Sequence, residues 1–182
     1  MHIITVTQIE AARRQLHTAI DLWVTDGDPV SIHTLAFCAY QITHDLNRAN
    51  KGRSMVLDYE HIPKDGLSSW VNFIKTPSNF FKHADNRKSK TRGQSVTLKD
   101  ELTLVLMWYA AWGLEELGEP PTPHVIAFRG TLIAKHPDFV DPDQAKPVQD
   151  YFAANPAERG YLEQSKKAIF DDVMGRVRAR GL

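Results

Sequence analysis

Between Thr97 and Gly118 the chain reads TLKDELTLVLMWYAAWGLEELG. From Leu102 to Leu114 apolar side chains fall on nearly every side of a helical wheel, so this segment predicts a helix buried on several faces. It is too short to cross a bilayer. Thr97 is the expected cap, Asp100 and Glu101 sit in the first turn near the positive end of the helix dipole, and Gly118 with Pro120-Pro121 stops the helix. A helix with this pattern needs partners on most of its circumference, which makes it the centre of an all-α bundle.

The partners are legible on either side. Thr7-Gln8-Ile9-Glu10 is a capping box, and Ile9, Ala12, Leu16, Ala19, Ile20 and Trp23 follow at three- and four-residue spacing, predicting an amphipathic helix to about Thr25. Asp28-Pro29 offers an N-cap acceptor and a first-turn proline, and a second helix runs to about Ala49. Its small residues predict close approach to the first helix as an antiparallel pair. Asn50 to Gly66 reads as a loop with a short helical turn. A third helix resumes near Leu67 and reaches Thr76-Pro77, where the proline predicts a new piece over Pro77 to Asp85 with Thr76 as its cap. Past Pro121, helices are expected over His124–Lys135, Pro147–Ala154 and Ala157–Arg180. The expected organisation is one domain, 1–182, with a four-helix core over 8–117 and a C-terminal helical extension over 118–182 packed on that core.

The chain has 182 residues, with 22 basic and 22 acidic side chains and therefore no net charge. That balance argues against a broadly basic nucleic-acid binder, and 42% hydrophobic residues against disorder. There is one cysteine, Cys38, so no internal disulfide can form. No apolar run is long enough for a membrane span, and the first sixteen residues lack the pattern of a secretory signal. The expectation is a cytoplasmic protein without membrane association, cofactor or metal.

The string Ser78-Asn79-Phe80-Phe81-Lys82-His83-Ala84-Asp85 carries the most distinctive chemistry. Asn79 and His83 are four apart and share one face of a helix, with Phe80 and Phe81 expected to turn into the core. The string resembles the motif of the HEPN superfamily, in which an arginine, often followed by a polar residue such as asparagine, precedes a histidine by four to six positions. The resemblance extends over residues 8 to 117, through the first helix, the Asp-Gly-Asp-Pro turn and the small-residue-rich second helix. It implies an up-down helical bundle and a homodimer. In HEPN ribonucleases a histidine and an arginine from two chains cleave RNA without metal: the imidazole moves a ribose proton while the guanidinium stabilises phosphate charge. Asn79 matches the polar residue and His83 the histidine, making these the candidate catalytic pair. The arginine position holds Ser78, and a hydroxyl supplies no fixed positive charge.

Beside this string, Lys82 to Lys99 contains six basic residues against Asp85 alone. Lys82, Asp85, Arg87, Lys88, Lys90 and Arg92 are the candidate contacts to RNA, nucleotide or another ligand, in a segment expected to be a solvated loop. The eight histidines lack zinc-finger or zinc-peptidase spacing. His33 and His44 lie ~16 Å apart along one helix and cannot share an ion. The expected function is a noncatalytic HEPN-like interaction module contacting RNA or nucleotide. The alternatives are a metal-independent endoribonuclease using His83, toxin-like or defence-related, and a purely structural or protein-binding module.

Overall fold

A computed structural model of the chain describes residues 3–58, 63, 65–82, 95–139, 142–155 and 158–181. Among these are eight α-helices and no strand. They are α1 (Gln8–Val24), α2 (Pro29–Ala49), α3 (Leu67–Lys82), α4 (Asp100–Glu116), α5 (Pro123–Lys135), α6 (Pro142–Ala154), α7 (Gly160–Glu163) and α8 (Lys166–Ala179). None of them is long and apolar enough to cross a membrane. The chain falls into two compact units, one of Met1–Trp23 and Gly27–Pro120, the other of Val24–Asp26 and Pro121–Leu182.

In the first unit α1 starts at its capping box: the Thr7 N–H donates to Glu10 Oε2 at 2.8 Å, and the Glu10 N–H donates to Thr7 Oγ1 at 3.1 Å. The stripe of Ala12, Leu16, Ala19 and Ile20 is buried. In α2 the Asp28 carboxylate accepts from the Ser31 N–H at 2.7 Å, two residues beyond the first-turn proline. The most extensive helix packing is between α2 and α4, not between α1 and α2. His33 meets Thr103, and ten residues further along each helix Thr43 meets Gly113, so α2 and α4 run parallel. Their approach depends on small residues of α4: a Cβ on Gly113 would stand 2.8 Å from the Thr43 Cβ and 2.9 Å from the Met55 Cε. Leu102, Leu104, Leu106, Met107, Ala110, Ala111 and Leu114 are buried along α4, while Trp108, Tyr109 and Trp112 are half-buried.

Two boundaries differ from expectation. α3 continues through Pro77 instead of breaking there. Phe73, whose carbonyl loses the donor that Pro77 lacks, is 44% exposed, and water on that side can take the donor's place. α4 begins after Lys99, with no side-chain cap, so Thr97 does not cap it; Asp100 and Glu101 supply negative charge to its first turn. At the other end Gly118 adopts φ +85°, and the N–H groups of Gly118 and Glu119 return to the carbonyls of Glu115 and Leu114. This closure places the Glu119 carboxylate against Arg13 of α1.

The segment after α2 is drawn down onto that helix. Asn47 Nδ2 donates to the Arg53 carbonyl at 2.6 Å, the Leu57 N–H donates to the buried Tyr40 hydroxyl at 2.9 Å, and Trp70 Nε1 donates to the Val56 carbonyl at 2.8 Å. Met55 and Leu57 are buried as a result.

In the second unit α5 packs on α8, burying Val125, Phe128 and Leu132 from one helix and Ile169, Phe170, Met174 and Val177 from the other. α6 begins at Pro142, before the expected Pro147, which lies inside it. The expected last helix is two helices: Ser165 caps α8, its hydroxyl accepting from the Ala168 N–H at 3.2 Å, and so separates α8 from the short α7.

Candidate functional site

The site is built on α3. Buried Ile74, Pro77 and Ser78 turn one side of this helix inward, which leaves Asn72, Phe73, Thr76, Asn79 and Phe80 exposed on the other. Phe73 and Phe80 are 44% and 37% exposed. They are seven residues, nearly two turns, apart and lie on one face. Phe80 therefore does not turn into the core as its sequence neighbourhood predicts; Pro77 and Ser78 occupy the inward positions. The Phe73 ring stacks on Trp70 with centroids 5.9 Å apart, and the Phe80 ring meets Phe81 edge-on at 6.1 Å. These contacts hold both rings in place at the surface.

Ser78, the residue at the arginine position of the resemblance, has its side chain in the interior. Its Oγ lies 3.1 Å from Nε2 of His33, and His33 Nδ1 lies 3.0 Å from Thr103 Oγ1. His33 and Ser78 are fully buried and Thr103 nearly so. A neutral imidazole carries one donor and one acceptor nitrogen, and each hydroxyl can do either, so the three side chains satisfy one another across α2, α3 and α4. Burial lowers the His33 pKa to about 4, assisted by the positive charge of Lys82. Lys82 is exposed, with its Nζ 4.8 Å from the centre of the Phe37 ring. This arrangement is a sealed polar pin: it joins three helices and presents no reacting atom to solvent.

Asn79 and Lys82 are both exposed at the C-terminal end of α3. His83, Asp85, Arg87, Lys88, Lys90 and Arg92 lie outside the described residues. Of the residues predicted for a site, the structure thus places Asn79 and Lys82, on the same terminal turn. Phe73 was not in the predicted set. The continuity of α3 through Pro77 carries the face of Phe80 and Asn79 back to residue 73.

A second polar cluster sits where α2 meets the segment that follows it. His44 Nε2 lies 3.0 Å from Asp58 Oδ1, and its Nδ1 lies 3.2 Å from Asp45 Oδ1. The other Asp58 oxygen accepts from the Met55 N–H. Tyr40 is fully buried beside them, and its burial pushes the phenol far above its ordinary range. His44 is only 7% exposed, so the cluster fastens residues 53–58 to α2. Among the described residues no three His, Cys, Asp or Glu side chains are grouped to hold a metal ion. Cys38 is half-buried and free.

Compared with known proteins, the chain matches no family model, no curated protein and no solved structure.

Proposed function

We propose that the chain is a noncatalytic, HEPN-like helical interaction module whose α3 contacts single-stranded RNA. The observation that carries this reading is the exposed pair Phe73 and Phe80 on one face of α3, with Asn79 beside them and Lys82 closing the helix. Aromatic faces stack unpaired bases, amides hydrogen-bond base edges, and cations hold the phosphates; proteins that bind single strands combine these elements. The sequence continues from Lys82 into Arg87, Lys88, Lys90 and Arg92, which supplies further charge on the same side of the motif in the chain.

Support for a noncatalytic module comes from Ser78, whose hydroxyl is committed to His33 inside the core. No guanidinium replaces it at that position. The parallel run of α2 and α4, two helices apart in order, agrees with an up-down bundle.

The test is fluorescence anisotropy with a labelled single-stranded RNA in EDTA. Phe80→Ala is expected to weaken binding about tenfold, the loss of one stacked base, and Lys82→Ala is expected to reduce the dependence on salt. RNA cleavage in the same mixture would replace this reading with the endoribonuclease. No RNA binding, with a change in oligomer mass on replacing Phe73 and Phe80, would make the face a self-association surface.

A further inference from the structure

The second unit contains a recess that the α3 reading leaves unused. It offers about 230 Å³, open to solvent on one side, between α5, α6 and α7 and is walled by Ile133, Val148, Phe152 and Leu162, with Gln149 and Arg159 as its polar residues. The recess is fixed by packing: Phe152 stacks on Tyr161 at 6.0 Å, and Lys135 Nζ donates to the Leu162 carbonyl at 2.7 Å, tying α5 to α7. An apolar recess of this size holds a body of six to eight carbons, roughly half again the volume of a protein cavity known to bind benzene.

Arg159 is the one charged group among the described lining. Its Nε makes only a long 3.4 Å hydrogen bond to the Phe152 carbonyl, and no carboxylate among the described residues pairs with it. Two acids of this unit have other partners. Glu158 accepts from the Tyr151 hydroxyl at 2.7 Å, and Asp172 accepts from the Tyr161 hydroxyl and from Arg176 Nε, each at 2.9 Å. A guanidinium at the edge of an apolar recess offers parallel N–H donors in the geometry a carboxylate accepts. We propose that this recess binds a small amphiphilic monocarboxylate, its hydrocarbon body against Phe152, Val148 and Leu162 and its carboxylate on Arg159. The site is independent of any RNA contact by α3.

The probes are octanoate and 1-octanol, which share a hydrocarbon body and differ in charge. Each is titrated into the full chain while the methyl resonances of Ile133, Val148 and Leu162 are followed by NMR. Octanoate is expected to shift these methyls and to bind about five- to tenfold more tightly than octanol, the gain from a partly exposed charged contact. Arg159→Gln is expected to erase that preference while leaving octanol binding unchanged. Gln149→Glu, which sets a carboxylate beside the arginine, is expected to weaken octanoate alone. Equal binding of the two probes to the unaltered chain, octanoate binding insensitive to both variants, or no shift of these methyls at probe concentrations of about 5 mM would overturn the proposal.

Discussion

Ser78 and His33 are forty-five residues apart in the chain, yet their side chains meet at 3.1 Å in the interior of the first unit. The imidazole is neutral there, and the resulting pH dependence has a definite sign. The folded-state pKa of His33, about 4, lies below the ordinary 6.5. The unfolded chain therefore binds more protons in that interval, and stability rises with pH across it. The contribution is complete above about pH 6.5 and is lost as pH falls toward 4, by about 3 kcal/mol if the shift is fully expressed. Urea unfolding at a series of pH values should show this slope in the native chain and a flatter one in His33→Leu. Parallel slopes would mean that His33 is not the group responsible.

Restoring the arginine that the HEPN resemblance calls for should damage the fold without creating an enzyme. In Ser78→Arg a guanidinium replaces a fully buried hydroxyl, with no carboxylate facing it among the described residues around His33 and Thr103. The expected loss is about 3–5 kcal/mol, seen as a lower melting temperature by circular dichroism, with no RNA cleavage in EDTA. A variant that melts like the native chain and cuts RNA would show that position 78 opens outward.

Two glycines should respond in opposite ways to the same substitution. In Gly113→Ala the new Cβ meets the Thr43 Cβ at 2.8 Å, and both atoms are held by helix backbones, so a cost of about 1–3 kcal/mol is expected. In Gly130→Ala the nearest atom is the Val173 Cγ1 at 3.4 Å. The substitution there should be neutral, or stabilising by up to about 1 kcal/mol through helix propensity. Chemical denaturation of the two variants decides the matter, and equal effects would contradict the close approach of α2 and α4.

Replacing Phe73 and Phe80 together by serine should leave unfolding within about 0.5 kcal/mol per site of the native chain, as for exposed positions generally. The same variant should lose RNA binding in the anisotropy assay. A large fall in stability would show that the two rings are core residues.

The elements that announced themselves in the sequence are those whose signals are local. The Thr7 capping box, the Asp28-Pro29 start and the all-round apolar character of α4 each need only a few neighbouring residues to be read, and each stands in the structure. What escaped depends on distant residues. Pro77 reads as a break because the exposure of Phe73, which makes the missing hydrogen bond tolerable, is set by tertiary packing. Ser78 reads as a degenerate catalytic position because its partner, His33, lies forty-five residues earlier on α2, on the edge of an apolar stripe. The cap at Ser165 goes unread, because the apolar positions on both sides of it align well enough to suggest one helix. For the site itself, the sequence pointed to the end of α3 through Asn79 and Lys82. The aromatic half of that face became visible only with the helix continuous to residue 82.

The parallel course of α2 and α4 has a consequence for how the first unit folds. The His33–Thr103 contact joins residues seventy apart, so the principal pairing cannot form between neighbours in the chain as it does in a simple helical hairpin. The whole intervening stretch, α3 included, must be gathered in before that pairing stabilises anything. Folding of this unit should therefore be set by loop closure, slower than helix content alone suggests, and the grooved face of Gly113 on α4 stands open until Thr43 arrives.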